Sequence, residues 1–512
     1  MPRTVSNNTG LSYTLEDASG NPGTDWFKLE PNSIDSFGAT IVTTPRNPIS
    51  SNRQSRKGTV TDLDSGVGIT SDLTMSAFRD FIEGFAFASA TNAGVTEIPC
   101  TSVSTTTDGF TVAALTAGQA NKFEIGTLLY SAGHSNAGNN GLKTVDADIA
   151  TSATEITVAE NLIDETPPSS ARVSLAGYQI SGSAATWDWD GTAKTASLLA
   201  TGAGTVLAAL GLNVGQFVHV GSPDGSGGVE KAFTNSATDD MYGYARVKSI
   251  SANAVLFDKV DAALQFDDLT APAAVNILFG QFIRNVATTH ADYIEQAFQF
   301  EATFVGVGTG GVDMYQYSTG NFCNQLSLNM PLADKATMSV EFIGKDTPGL
   351  IGSGSRKSGA SSAADPENVV AFNTSADIAK LRILDTDESG LTTDFKSLTL
   401  TINNNVTPEK VLANLGAKYL NTGDFIVEIN AELVFTNVDV IDRIRNNTTV
   451  TMDFVLKNEN GGFAIDLPSL TLGQGNYNFP ENQSVTLNTT GTAFEDTLLG
   501  TSIGISIFPV LP

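Results

Sequence analysis

The chain has 512 residues, of which 16% are charged, and its 28 basic and 55 acidic residues leave a net charge of −27. So few basic residues exclude the Lys and Arg patches by which proteins grip nucleic acid phosphates. The length exceeds what one core usually supports, and the 48 glycines and frequent Thr, Ser, Asn and Val favour short strands and turns. We therefore predict a multidomain all-β protein with a few short helices.

The cysteines and the hydropathy narrow the class further. Cys100 and Cys323 lie far apart and indicate neither a disulfide framework nor a clustered zinc site. Residues 1–10 lack the basic and apolar segments of a secretion signal, and no stretch approaches the roughly 18 apolar residues that span a bilayer. We expect a chain that is made and kept in cytosol-like solvent, without a membrane.

Residues 1–36 are polar and rich in turn-forming residues. The bulky side chains of this segment are Trp26 and Phe27. Such a segment buries little apolar surface by itself, so we expect an N-terminal arm that packs on something else and is loose in a free monomer.

The first folded domain is predicted at 37–94, with a strand at 39–44 and then a basic loop that contains Arg53, Arg56 and Lys57. Strict alternation follows, with one face formed by Ile69, Ser71, Leu73 and Met75. The spacing then becomes helical at Phe78, Phe81, Ile82 and Phe85. Alternation predicts a strand with one buried face, and the later spacing predicts a short amphipathic helix.

Residues 95–269 have a different composition and a weaker internal repeat. Residues 123–130 and 212–219 are both typical of a strand that leads into a glycine-rich turn and a second strand. We therefore expect two inserted β modules, at 95–179 and 180–269, that interrupt the first domain.

The first domain is predicted to resume at 270–350. Its strands are expected at 297–305, 313–318, 325–329 and 335–343. Residues 351–367 are rich in Gly and Ser, which predicts a flexible linker.

The second domain, predicted at 368–512, repeats the first one without an interruption. Its strand at 397–402 and loop at 403–422 precede an alternating run at Ile429, Ala431, Leu433 and Phe435, and the helical spacing returns at Val438, Ile441 and Ile444. Ile69 and Ile429 are 360 positions apart, and the two units match at that offset. Repetition of one unit is more typical of large assemblies than of enzymes.

Two motifs that imitate ligand sites have simpler interpretations. Gly306, Gly308 and Gly311 follow a predicted strand but precede another strand, so a hairpin turn is favoured over a dinucleotide loop. Residues 385–390 imitate the opening of a calcium loop, but Lys396 stands where the bidentate Glu belongs. A polar turn is favoured there, and a weak ion site stays as the alternative.

The histidines and tryptophans do not indicate a catalytic or binding site either. His134, His219 and His290 are scattered, with no spacing that specifies a triad or a metal site. Trp187 and Trp189 alternate with aspartates, which a strand explains as well as a sugar platform does. We predict no catalytic residues, no metal and no cofactor.

The order of these elements resembles a known family, the major tail tube proteins of long-tailed, siphovirus-type bacteriophages. The resemblance rests first on Asn47, Pro48, Ile49, Arg53, Arg56, Lys57 and Gly58, which lead into the strand and helix at 68–85. It rests further on Leu398, Asn403, Gly423, Leu433, Phe435, Gly462, Leu467, Pro468, Phe494 and Asp496. The match covers 37–87 and about 296–512, so that the chain is similar to two tube folds in tandem.

The resemblance implies a fold and a function. Each copy is expected to be a β-barrel or sandwich with one flanking helix, in a structural virion protein that is not an enzyme. Rings of it would stack helically into a hollow tail tube, assembled in the host cytoplasm, through which genomic DNA passes without specific binding. Implied protein partners are the tail terminator, distal tail and tape measure proteins.

Family members with one fold per chain form six-membered rings, so two copies per chain predict a trimeric, pseudo-hexameric ring. The polar faces of the repeated strands then become candidates for the lumen, with the acidic residues Asp72, Glu341, Glu428 and Glu432. We expect these carboxylates to repel the DNA backbone, and a solvated outer face is the competing interpretation.

Contacts between subunits and between rings are expected from the arm, the basic loop, residues 403–422 and residues 473–483. The candidate contact residues are Trp26, Phe27, Arg53, Arg56, Lys57, Asn404, Lys410 and Tyr477. The inserted modules are expected to project outward, where they contact host glycans, stabilise the outside or have no measurable role.

Two other classes fit the composition. β-Rich surface adhesins or carbohydrate-binding proteins are also acidic and poor in cysteine, but the missing signal segment disfavours a secreted adhesin. A carbohydrate-active enzyme needs two carboxylates across a cleft, and residues distant in sequence can provide them.

Overall fold

A computed structural model of the protein describes residues 5, 9–46, 48–49, 54–181, 185–221, 233–235, 239–265, 269–270, 274–385 and 390–512. Strands make up 49% of it and helices 10%, so the prediction of an all-β protein with short helices is confirmed. The strands form several sheets, and the chain by itself contains no closed barrel in its described part. Two large apolar clusters form separate cores. One lies within residues 95–279, called the insertion below, and the other lies in the rest of the chain, called the body.

The body begins with four strands and a helix: β1 (Thr9–Leu15), β2 (Phe27–Leu29), β3 (Ser33–Thr44), β4 (Thr59–Asp72) and α1 (Met75–Ala86). The Thr74 hydroxyl caps α1 by accepting a hydrogen bond from the Ala77 amide at 3.1 Å. Phe87 ends the helix in the left-handed region, with φ of 47°. The predicted apolar face of α1 is buried, which confirms the strand and helix unit.

The insertion contains most of the middle strands. These are β5 (Ile98–Ser104), β6 (Gly109–Val112), α2 (Ala117–Ala120), β7 (Thr127–Ala132), β8 (Gly141–Thr144), β9 (Glu155–Thr157), β10 (Arg172–Ser181), β11 (Thr186–Asp190), β12 (Thr195–Leu199), α3 (Ala203–Ala209), β13 (Phe217–Val220), β14 (Phe233–Asn235), β15 (Asp239–Met241), β16 (Gly243–Ser251), β17 (Ala254–Asp258), β18 (Leu269–Thr270) and β19 (Ala274–Leu278). Trp187 and Trp189 lie in β11, as predicted.

The two predicted inserted modules form one packed unit. Strand β10 spans the predicted boundary at 179/180 and pairs with both β7 and β19. One apolar cluster extends from Val95 to Phe279 and includes residues from both modules. The sequence repeat did not indicate this single unit, because each module has a strand pair of its own, β7 with β8 and β13 with β16. The strand pairing that joins the modules is between residues distant in sequence.

The first half of the body resumes with β20 (Gln281–Arg284), β21 (Phe298–Phe304), β22 (Met314–Met330), β23 (Thr337–Gly344) and β24 (Ile351–Gly352). Between β21 and β22, the Gly308 amide donates to the Val312 carbonyl at 2.8 Å. Gly306 has φ of 69°, so this glycine-rich run is the predicted hairpin turn.

The second half of the body follows without an insertion. Its elements are β25 (Ile378–Leu384), β26 (Gly390–Thr392), β27 (Phe395–Asn403), β28 (Thr407–Glu409), β29 (Tyr419–Asn421), β30 (Ile426–Val434), α4 (Asp439–Asn446), β31 (Thr449–Asn458), β32 (Gly461–Asn478), β33 (Thr486–Ala493) and β34 (Gly504–Phe508). Asn447 ends α4 with φ of 50°, as Phe87 ends α1. Residues 386–389 of the imitated calcium loop lie outside the described residues.

Both halves have the same strand pairing. In the first half, β1 pairs with β21, β21 with β22, β22 with β23, β23 with β4 and β4 with β3. In the second half, β25 pairs with β31, β31 with β32, β32 with β33, β33 with β30 and β30 with β27. Helices α1 and α4 contact the equivalent strands β22 and β32. The sequence repeat is thus accompanied by a repeat of topology.

The halves are joined by strand β22, which pairs with β27 from Gln325 opposite Asn403 to Met330 opposite Leu398. This seam produces one antiparallel eight-stranded sheet in the order β3-β4-β23-β22-β27-β30-β33-β32. The first parts of β22 and β32 pair instead with β21 and β31, in a second layer. The apolar core of the body lies between these layers and the helices.

The predicted loose arm and flexible linker are both wrong for the described residues. Strand β1 pairs along its whole length with β21, and the Trp26 indole donates to the Ser358 carbonyl at 3.0 Å. Residues 351–367 pack on Trp26 and Tyr317 through the buried Ala360 and Ala363. Composition could not indicate that the two segments stabilise each other, because the contact joins Trp26 and Ser358, which are more than 300 positions apart.

Candidate functional site: a polar sheet face and two open edges

One face of the eight-stranded sheet packs on the core, and the opposite face is polar. The polar face consists of alternate residues, among them Thr70, Asp72, Gln325, Ser327, Asn329, Thr337, Ser339, Glu341, Thr399, Thr401, Asn403, Glu428, Asn430, Glu432, Asn488, Thr490 and Thr492. None of these residues is basic. Their core-facing neighbours are apolar, for example Leu326, Leu328 and Val340, so period-two alternation fixes which side chains share this face.

All four predicted acidic residues lie on this polar face. Asp72 is opposite Thr337, and Glu341 is opposite Gly68 and Gln325. Glu428 is opposite Thr401 and Thr492, and Glu432 is opposite Ser397 and Asn488. The structure thus brings residues from both halves onto one surface.

The four carboxylates differ in their surroundings. The Lys335 ammonium lies 2.7 Å from Asp72, and the Asn32 amide also donates to Asp72. Partial burial favours a higher pKa for Asp72, but the hydrogen bonds from Lys335 and Asn32 lower its pKa below the ordinary value. Glu341 and Glu428 are exposed, and no ion pair involves them among the described residues. The uncompensated charge of the face therefore comes mainly from the glutamates.

Neutral hydroxyl and amide groups, which were not among the predicted site residues, fill the rest of the face. Across the seam, the hydroxyls of Ser327 and Thr401 lie 3.2 Å apart, and Thr399 donates to Asn329 at 3.2 Å. Thr70 and Ser339 hydroxyls lie 2.9 Å apart. The polar positions of the predicted strands at 325–329 and 397–402 contain this signal, because they alternate with apolar positions.

Two of the predicted contact residues are interior. Trp26 is 2% exposed and stacks edge-on against Tyr317 at 5.9 Å. Asn404 is 2% exposed, and its amide donates to the Phe85 and Cys323 carbonyls at 3.0 Å. Their side chains stabilise the chain itself and offer no surface to a neighbour.

The other contact candidates are at the surface, apart from Arg53, which lies outside the described residues. Phe27 is 41% exposed and Tyr477 is 43% exposed. Arg56 and Lys57 are exposed between β3 and β4. Lys410 already binds within the chain, since its ammonium lies 2.5 Å from Asp62 and 2.6 Å from Asp64.

The eight-stranded sheet has two open edges. Strand β3 pairs only with β4 in the described part of the chain, and Ile34, Ile41 and Val42 on it are exposed. At the other end, residues 472–478 of β32 pair only with β33 among the described residues. Unpaired strand edges bind further strands readily. Each edge is therefore a ready surface for another sheet.

Other types of site are not evident in the described residues. No three His, Cys, Asp or Glu side chains converge there as a metal site would require. No described helix has the length and apolar character needed to cross a bilayer.

Comparison with known proteins gives one family. A family model described as "Phage tail tube protein" matches residues 220–493, which is more than half of the chain. No curated protein matches the chain.

Proposed function

Because the chain belongs to the phage tail tube protein family, we propose that three copies close into a pseudo-hexameric ring. In this proposal the rings stack into the tail tube of a long-tailed phage, and genomic DNA leaves through the lumen during ejection. The tube is assembled in the host cytoplasm and meets terminator, distal tail and tape measure proteins at its ends and in its lumen. The observation that supports the ring most strongly is the seam between β22 and β27.

The seam supports the ring because it is already a contact between two equivalent units. By topology, β32 corresponds to β22, and β3 corresponds to β27. The open edge of β32 in one chain is therefore equivalent to β22, and the open edge of β3 in the next chain is equivalent to β27. The two edges can pair between chains as β22 and β27 pair within a chain. Repetition of the seam between chains closes three double units with the same rotation at every contact.

The register of the interchain seam follows from the internal one. Leu326 faces Ile402 within the chain. Leu472 lies opposite Gly491 of β33 as Leu326 lies opposite Val340 of β23. Phe37 lies opposite Val67 as Ile402 lies opposite Val427. We therefore expect Leu472 of one chain to face Phe37 of the next.

Closure of the ring would turn the polar face toward the lumen, since the other face is covered by core and helices. The glutamates would repel the phosphates of DNA, and the hydroxyls and amides would keep the DNA hydrated. Lys335, which lies beside this face, is already paired with Asp72. The acidic character of the chain then has its clearest use on this face.

Electron microscopy and native mass spectrometry of the purified full-length chain test the ring. We expect rings or hollow tubes, with a ring mass of three chains. Monomers at every concentration would refute ring formation, and six-chain rings would refute the assignment of two tube units per chain.

Disulfide trapping tests the seam register. In Phe37→Cys/Leu472→Cys, directly opposed strand residues lie within about 4.5–5.5 Å between Cβ atoms, which suits a disulfide. Oxidation should give covalent trimers. The native Cys100 and Cys323 are 5% and 0% exposed and should not react. Tubes that form without this crosslink would contradict the register.

A phage assay tests the lumen. Replacement of Glu428 and Glu432 by Lys should slow DNA ejection, because basic side chains attract phosphates. The matched variant, Gln at both positions, removes charge without adding attraction and should eject nearly normally. Equal ejection by the wild-type and Lys tubes would contradict a lumenal position.

A further inference from the structure

One contact within the chain has an unfilled counterpart. Residues 404–425 leave the sheet after β27 and fold over the end of β22 and β23 in the first half. Val406, Ala417 and Leu420 of this segment pack on the first-half residues Phe87, Phe322 and Ile343. Lys410 extends the contact to Asp62 and Asp64 on β4. The second half thus covers an apolar surface at the end of the first-half sheet.

The equivalent surface on the second half is exposed in the described part of the chain. Ile343 lies opposite Gly66 in the ladder between β23 and β4. The ladder between β33 and β30 ends with Ala493 opposite Val427, so the next residue, Phe494, occupies the position of Ile343. Phe494 is 42% exposed and Leu498 is 73% exposed. An exposed aromatic and an exposed leucine stand where the first half is covered.

The first-half counterpart of the covering segment is also uncovered. The ladder between β27 and β30 ends at Asn403 opposite Ile426, and the equivalent pair in the first half is Gly38 opposite Gly66. The counterpart of residues 404–425 is therefore the outer part of the β3-β4 hairpin, which the structure describes at 39–46, 48–49 and 54–65. Its exposed apolar side chains in the described part are Ile41 (56%), Val42 (45%), Ile49 (fully exposed) and Val60 (45%).

The charges of the two surfaces are complementary. Arg46, Arg56 and Lys57 are exposed on the hairpin segment. Glu495, next to Phe494, is exposed on the opposing surface. A basic hairpin with exposed apolar side chains thus complements an apolar surface that carries an acidic residue at its edge. Within the chain, Lys410 pairs with Asp62 and Asp64 in the same way.

We propose that the outer β3-β4 hairpin of one chain covers Phe494 and Leu498 of the neighbouring chain in the same ring. This inference rests on the proposed ring. It adds a second interchain contact to the strand seam, and its partner is a second copy of this chain. The contact repeats between chains what residues 404–425 do within one chain.

Crosslinking separates this contact from the seam. We would combine Val42→Cys with Leu498→Cys and treat assembled full-length protein with a short bismaleimide. Crosslinked dimers and trimers are expected, with no larger species, since each hairpin reaches a neighbour within its own ring. A ladder that continues past trimer would place the hairpin on an adjacent ring and overturn the proposal.

The seam disulfide of Phe37→Cys/Leu472→Cys is the reference. If it yields trimers while the hairpin pair yields no crosslink, the hairpin contact is wrong and the proposed ring stands. If neither pair crosslinks and no rings form, the proposed function itself fails.

Substitution tests the energetics of the same contact. Phe494→Asp/Leu498→Asp should raise the concentration needed for assembly by at least about tenfold, because burial of the charges is unfavourable. Leu332→Asp is the matched control, since Leu332 is 68% exposed and lies outside both surfaces; it should assemble normally. Normal assembly of the double variant, folded by circular dichroism, would overturn the proposal.

Discussion

The first and second halves of the body bury acidic side chains on the layer that faces away from the shared core, and they neutralise them differently. In the first half, Glu301 on β21 is 0% exposed and binds Arg356, which belongs to the segment 351–367. In the second half, Asp466 on β32 is 1% exposed and binds Arg246, which belongs to the insertion. A short segment covers one half, and a whole inserted unit covers the other.

This difference shows what the insertion does for the fold. The Arg246 guanidinium donates two hydrogen bonds of 2.8 Å to Asp258 of the insertion and a third, also of 2.8 Å, to Asp466 of the body. Phe217 and Tyr244 of the insertion pack with Val455 and Ala464 of the body. The insertion is thus attached to the second half through a buried polar and apolar interface, although it interrupts the sequence of the first half.

The largest expected effect comes from Arg246→Met. It leaves Asp466 buried without the guanidinium that it binds, although Asp453 and Lys259 still act on its charge. Loss of one partner of a buried ion pair costs about 3–5 kcal/mol. The free energy of unfolding, measured in urea on protein that carries Phe494→Asp/Leu498→Asp to disfavour assembly, should fall by this amount. Lys248→Met, on the same strand at a half-buried position, is the control and should cost less than about 1 kcal/mol. A comparably small loss for Arg246→Met would show that the ion network does not hold the insertion.

Arg356→Met should have a smaller effect on the first half. The Tyr317 hydroxyl donates to the Glu301 carboxylate at 2.5 Å and the Thr303 hydroxyl donates to it at 3.4 Å, so Glu301 keeps these hydrogen bonds when the guanidinium is removed. We expect a loss of about 2 kcal/mol, within the range for an incompletely satisfied buried group. Urea unfolding checks this value. Tyr317→Phe should cost less than Arg356→Met; the reverse order would mean that the hydroxyl, not the cation, stabilises Glu301.

These two networks also mark the limit of what the sequence predicts. Alternation at 69–75 and 429–435 predicted the strands, the helices and the polar face, because both periodicities are local. The partners of Glu301 and Asp466 lie 55 and 220 positions away. No local pattern contains such pairs, so the arm, the linker and the boundary inside β10 were misassigned. The shared polar face of Asp72, Glu341, Glu428 and Glu432 could be predicted because it depends only on strand parity. The burial of Trp26 and Asn404 could not, because it depends on tertiary contacts.

The smallest effect should be a pH dependence confined to the first half. Glu16 follows β1, and its carboxylate accepts hydrogen bonds from Gln299 at 2.7 Å and from the Gly320 amide at 2.9 Å. Burial raises the pKa of Glu16 although these hydrogen bonds oppose the shift. Asp385, which follows β25 in the second half, is instead ion-paired with Arg443.

A raised pKa means that the folded chain holds the Glu16 proton more tightly than the unfolded chain does. Its contribution to stability is therefore full below the unfolded pKa and is lost as the pH rises through the folded pKa. Glu16→Gln cannot ionise, so its urea midpoint should improve relative to that of the wild type between about pH 4.5 and 7. A difference between the two midpoints that stays constant over this range would show that Glu16 has the same affinity for its proton in both states, and that burial in the first half leaves this carboxylate unperturbed.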